Sequence, residues 1–71
     1  MEKFYLRADD EYIKLGQLLK AAGLVESGVM AKEEILDGWV YVNGEVEYQR
    51  GKKLRPGDIV DFDDVQILIC R

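Results

Sequence analysis

From Gly38 to Val46 the chain reads Gly38-Trp39-Val40-Tyr41-Val42-Asn43-Gly44-Glu45-Val46, a run that admits very few local structures. Alternating aromatic and β-branched residues favour a strand, with Val40 and Val42 on one side and Trp39 and Tyr41 on the other. Asn43-Gly44 then supplies the two positive-φ positions of a type I′ turn, whose twist suits a two-residue hairpin. The second half of the chain is therefore built on strand reversal.

What precedes this hairpin is helical. Leu15, Leu18, Leu19 and Ala22 fall at i, i+3, i+4 and i+7, the spacing of one buried helical face, and predict a helix from about Ile13 to Ala22 that ends at Gly23. Ser27 is an N-cap residue for a second helix running to about Asp37, with Ala31 and Ile35 facing inward and Gly38 as its stop. So few residues join the two helices that they pack as an angled pair. Phe4-Tyr5-Leu6 is a short strand ahead of the acidic loop Asp9-Asp10-Glu11. After the hairpin, Pro56-Gly57 suits the centre of a type II turn. Val60 and Phe62, then Val65, Ile67 and Ile69, continue the strand alternation, and Asp63-Asp64 falls in a turn. The expected fold is α+β, two packed N-terminal helices against a small, mainly antiparallel sheet.

At 71 residues the chain is read as one domain, 1–71, with little room for a deep active site. No apolar run approaches the ~20 residues of a membrane-spanning helix, and Met1-Glu2-Lys3-Phe4 lacks the pattern of a signal peptide, so a cytoplasmic, monomeric protein with no membrane partner is expected. With one cysteine and no histidine there is neither an internal disulfide nor a common zinc pattern, and Cys70 is expected as a small core residue. General acid–base chemistry has no histidine to carry it, and Cys70 has no partner to activate it. The expectation is a protein that is not an enzyme and uses no metal or cofactor.

The net charge of −4 excludes a polycation that coats nucleic acid by charge alone. Its distribution is uneven. Arg50, Lys52, Lys53 and Arg55 fall in a stretch without acids, while Asp58, Asp61, Asp63 and Asp64 crowd the residues after it. Taken singly, such runs are ordinary solvated loops. Taken with a helix start at Ser27, they describe a phosphate-binding surface: the first turn of helix two offers unpaired backbone N–H groups that Gly28 leaves unobstructed, and the loop cations neutralise phosphates. Tyr41 and Tyr48 could stack on unpaired bases if they flank that loop, although aromatic residues on a strand's second face are more often structural. Ser27 is first a helix cap, and Asn43 and Gly44 are first a turn.

In order and spacing, Lys14-Leu15 with Leu18-Leu19, Ser27 with Ala31-Lys32 and Ile35, Gly38 before Val40-Tyr41-Val42-Asn43-Gly44, and Leu54-Arg55-Pro56-Gly57-Asp58-Ile59-Val60 resemble the RNA-binding domain of the ribosomal protein S-four type, also called the alpha-L motif. The resemblance covers about Lys14 to Phe62 and is strongest to short bacterial proteins consisting of this domain alone, the YaaA/YbcJ-like group. It implies binding of structured RNA (ribosomal, transfer or small regulatory RNA), with the ribosome as a possible setting. Carried over by position, the basic residue opening helix one is Lys14, the capping serine Ser27, the basic residue of helix two Lys32, and the hairpin pair Asn43 and Gly44. Many members have an aspartate where Gly16 stands and an arginine where Gly28 stands, and the loop Gly51-Lys52-Lys53 is expected to compensate. The expected RNA-binding set is thus Lys14, Ser27, Gly28, Lys32, Asn43, Arg50, Gly51, Lys52, Lys53 and Arg55.

Two other classes compete. A ubiquitin-like sulfur carrier shares the local pattern Val42-Asn43-Gly44-Glu45, but the Gly-Gly ending of such carriers is absent from Leu68-Ile69-Cys70-Arg71. A protein–protein adaptor would use the acidic flank Asp58 to Asp64 on a basic partner, for example a ribosomal protein.

Overall fold

A computed structural model describes residues 1–71. The chain forms β1 (Glu2–Tyr5), β2 (Ile13–Lys14), α1 (Leu15–Ala21), α2 (Gly28–Leu36), β3 (Tyr41–Val42), β4 (Glu45–Val46), β5 (Lys53–Leu54), β6 (Ile59–Phe62) and β7 (Val65–Cys70). Five strands make one sheet in the order β1-β7-β6-β3-β4, and β2 pairs with β5 in a separate antiparallel ribbon. The α+β class is as expected, with two adjustments. Strands precede the helices, and the sheet is mixed because β1 runs parallel to β7, from Glu2 opposite Ile67 to Tyr5 opposite Cys70. A parallel pair joins segments far apart in sequence, so no local turn signal announces it.

Helix α1 starts at Leu15 rather than Ile13 because tertiary partners claim the two residues before it. Ile13 and Lys14 are paired with Leu54 and Lys53. The helix start is then closed from outside: Gln17 Oε1 accepts the Lys14 N–H at 3.2 Å, and the N–H groups of Leu15 and Gly16 donate to the carbonyls of Lys52 and Arg50, both at 2.9 Å. These bonds satisfy donors that have no partner within a helix. Helix α2 is capped by Ser27, whose Oγ accepts the Met30 N–H at 3.2 Å.

Both helices end in the same motif. At the end of α2 the Gly38 N–H donates to Ile35 and the Trp39 N–H to Glu34, and at the end of α1 Gly23 and Leu24 do the same to Lys20 and Leu19. Gly38, at φ 83°, takes the left-handed position that lets the chain leave the helix and enter β3 directly.

The core is apolar throughout. Leu15, Leu18, Leu19, Ala31 and Ile35 from the helices meet Val40, Val42, Leu54, Val60, Ile67 and Ile69 from the strands, with Leu6 and Val25 completing it, and no polar side chain is buried. Val42, Val60 and Ile67 are in register across three strands, so one sheet face is sealed by the helices. Cys70 departs from expectation. It alternates with the buried Ile69, lies on the sheet's other face, and is only half-buried.

The expected hairpin is present, with Asn43 at φ 52° and Gly44 at φ 84° between Val42 and Glu45, which are paired. Asn43 does more than turn the chain. Its Nδ2 donates to Asp58 Oδ1 at 3.0 Å and its Oδ1 accepts the Ile59 N–H at 2.9 Å, while Asp58 Oδ2 accepts the Arg55 N–H at 2.8 Å. One asparagine thus ties the hairpin to the Pro56-Gly57 turn and sets the register of β3 against β6. Gly44→Val places a β-branched side chain at positive φ and should destabilise the domain by about 1–3 kcal/mol, read from a denaturant melt. A melt indistinguishable from that of the parent would mean that the turn carries no such strain.

Candidate nucleic-acid interface

The starts of both helices and the loop after β4 converge on a cleft of about 390 Å³ lined by Lys14, Gly16, Gln17, Lys20, Gly28, Arg50 and Gly51. Its composition is unusual for a chain of net charge −4: three cations, three glycines and one amide, with no carboxylate and no apolar side chain. A wall of this kind offers positive charge and close approach to the main chain, the two properties an anionic backbone requires.

Each element positions its part for a local reason. The periodicity that buries Leu15, Leu18 and Leu19 leaves Gly16, Gln17 and Lys20 on the outer side of α1. Arg50 is brought to Gly16 by the Gly16 N–H bond to its carbonyl, and a Cβ on Gly16 would stand 3.5 Å from both the Arg50 Cβ and its oxygen. That is ordinary contact, so a larger residue fits there and would narrow the cleft. Gly28 opens α2, and a Cβ built on it meets nothing within 4 Å. Beside it, the N–H groups of Gly28 and Val29 have no acceptor within the helix, so the first turn of α2 turns its positive end toward the cleft.

Of the residues singled out from the sequence, the fold gathers Lys14, Gly28, Arg50 and Gly51 here. The others point elsewhere. Lys53 Nζ sits 4.9 Å from the centre of the Tyr12 ring and Arg55 Cζ 5.6 Å from it, so these cations stack on one aromatic residue that is not in the cleft lining, although Lys53 is paired across the ribbon with Lys14. Lys52 shares a separate recess with Asn43, Glu45 and Glu47, where carboxylates offset its charge. Asn43 is occupied with Asp58 and Ile59, Ser27 with the Met30 N–H, and Lys32 lies exposed outside the cleft lining. The aromatic residues weighed for base stacking also lie outside it: Tyr48 packs on Gly38, its hydroxyl 3.6 Å from where a Cβ would be, and Tyr41 is on the bare sheet face.

Lys20 and Gln17 were not singled out from the sequence. The signal was available, since both fall on the outer side of the helix whose inner side the leucines mark, but nothing local said that Arg50 would come to meet them.

Residues 6–70 match the S4 domain family. The chain belongs to it. Among its relatives, a probable ribosome maturation protein, RlbA, from Bacillus subtilis (strain 168) is 46% identical over 55 residues, covering 78% of each chain. A putative RNA-binding protein, YbcJ, from Escherichia coli (strain K12) is 41% identical over 51 residues, covering 72% of this chain and 73% of that one. The solution structure of E. coli YbcJ, described as revealing an alpha-L motif involved in RNA binding, superposes with a TM-score of 0.75 at 34% identity and covers all of this chain and 89% of that one. The family match therefore extends the resemblance read from Lys14 to Phe62 back to Leu6 and forward through β7, and the superposition on YbcJ extends it over the whole chain, β1 included.

Because Ser27 caps α2 through one bond, Ser27→Ala should lower stability by about 1 kcal/mol whereas Ser27→Gly should cost only a few tenths, measured by chemical denaturation. Equal losses from the two variants would remove the capping role.

Proposed function

We propose that this domain binds structured RNA, with the cleft between the two helix starts and the Arg50-Gly51 loop gripping the phosphate backbone. The observation that carries the reading is the lining of that cleft: Lys14, Lys20 and Arg50 around three glycines, free of acid, in an acidic chain. Local charge of this kind neutralises phosphates, and glycine walls allow the sugar–phosphate chain to approach main-chain donors. Lys53 and Arg55, held on Tyr12, extend the positive surface beyond the cleft and add long-range attraction.

The relatives support the same direction. One is named as a putative RNA-binding protein and another as a probable ribosome maturation protein, and on that basis the RNA we infer is ribosomal, met during assembly of the particle in the cytoplasm. The protein acts by binding and carries out no chemistry of its own. Rigid helix starts and a pinned loop match a fixed backbone shape, so folded RNA with a helix–loop junction is preferred to a flexible strand.

Two measurements test this. In a binding assay on ribosomal RNA fragments, Lys20→Glu/Arg50→Glu should weaken binding by at least about tenfold, with little change in the melt because both side chains are exposed. Lys52→Glu/Lys53→Glu should weaken it less. The reverse ranking would move the site to the loop's outer side. Across a salt series, three cleft cations set a log–log slope of about −2, at roughly −0.7 per phosphate neutralised on single strands. Salt-independent binding, or equal affinity for a homopolymer, would remove the phosphate-gripping reading.

A further inference from the structure

The sheet face that the helices leave bare carries Tyr41, Asp61 and Gln66 in one register row, and Trp39, two residues before Tyr41, shares their side. Trp39 is the chain's only tryptophan, and it is 63% exposed, with Tyr41 40% exposed. Single exposed aromatic residues are normal, but these are grouped. Trp39, Tyr41, Phe62 and Val65 line one shallow depression with Asp61, Asp63 and Asp64, and Trp39 and Phe62 line an adjoining one with Glu34 and Asp63. No lysine or arginine lines either.

The backbone holds this arrangement in place. Trp39 is fixed beside Glu34 by its N–H bond to the Glu34 carbonyl at 3.2 Å, part of the motif that ends α2. Asp63 and Asp64, at φ 52° and 63°, form the two-residue turn between paired Phe62 and Val65, so both are held at the rim of the aromatic patch. Asp58, the first acid of this stretch in sequence, is drawn off to Asn43 and Arg55 and takes no part.

Charge decides what fits. Glu34, Asp61, Asp63 and Asp64 repel a phosphate backbone, and a second copy of the chain docked symmetrically would set these carboxylates against themselves. A cationic segment is attracted by the carboxylates and, if it carries arginine, also by the ring faces, since guanidinium stacks on tryptophan and pairs with carboxylates in a planar fork. We propose that the Trp39–Tyr41 face of the sheet is a docking surface for an arginine-rich protein segment. It shares no lining residue with the basic cleft, so the domain can hold an RNA and a basic protein chain at once.

Trp39 reports on its own site. The full chain is titrated at low salt with a synthetic Arg-Gly repeat peptide, following tryptophan emission, with Lys-Gly and Glu-Gly repeats as comparisons. A saturable emission change is expected with Arg-Gly, a weaker one with Lys-Gly and none with Glu-Gly. Asp63→Asn/Asp64→Asn keeps residues that tolerate the turn and should weaken Arg-Gly binding by about tenfold. The charge-matched Asp9→Asn/Asp10→Asn should leave it unchanged, and RNA binding should be the same in both variants. No saturable change, an equal response to Glu-Gly, equal weakening by the two double variants, or an emission change with protein concentration alone would each overturn the assignment.

Discussion

The arrangement of this domain depends on two main-chain hydrogen bonds, from Leu15 and Gly16 at the start of α1 to the carbonyls of Lys52 and Arg50. A helix start needs acceptors for its first N–H groups, and here they come from a loop some 35 residues later instead of from a capping side chain. Lys14, at the cap position, has no acceptor to offer, and Gln17 supplies one by reaching back. The same bonds that complete the helix therefore hold the Arg50-Gly51 segment beside it. The loop becomes one wall of the cleft, and the cleft's geometry follows from the need to satisfy backbone donors.

That dependence also explains what could be read in the sequence. The leucine spacing of α1, the Ser27 cap, the glycine stops and the Asn43-Gly44 turn are local, and each appears where its residues place it. The loop cations were legible as a group but not as individuals. Arg50 turns to the cleft because its carbonyl is held by the Gly16 N–H, Lys52 lies with Glu45 and Glu47, and Lys53 and Arg55 go to Tyr12 on the side of the β2–β5 ribbon opposite the buried Leu54. Such choices are made by a strand pairing that no window of neighbouring residues contains. Cys70 was misplaced for a related reason: its alternation with Ile69 was visible, but which face the helices would cover was not.

The two charged surfaces are consequences of different devices. The basic one is assembled from three segments, at α1, α2 and the loop, whereas the acidic, aromatic one draws on two, the end of α2 through β3 and the β6–β7 turn. By binding Asp58 and the Ile59 N–H, Asn43 locks the Pro56-Gly57 turn to the hairpin and so fixes β3 beside β6, the strands that carry Tyr41 and Asp61 of the acidic surface.

Strand β7 is the last element of the chain, yet it lies inside the sheet, between β1 and β6. Until its residues are present, β1 has no partner and Ile67 and Ile69 are missing from the core. Closing that pair joins segments separated by nearly the whole of this sequence, so its loop-closure entropy cost exceeds that of the helix pair or the central hairpin, which join nearby residues. In the finished sheet β1 is an edge strand, and its exposed Glu2 and Lys3 put charge on that edge, a simple protection against pairing with a strand of another molecule.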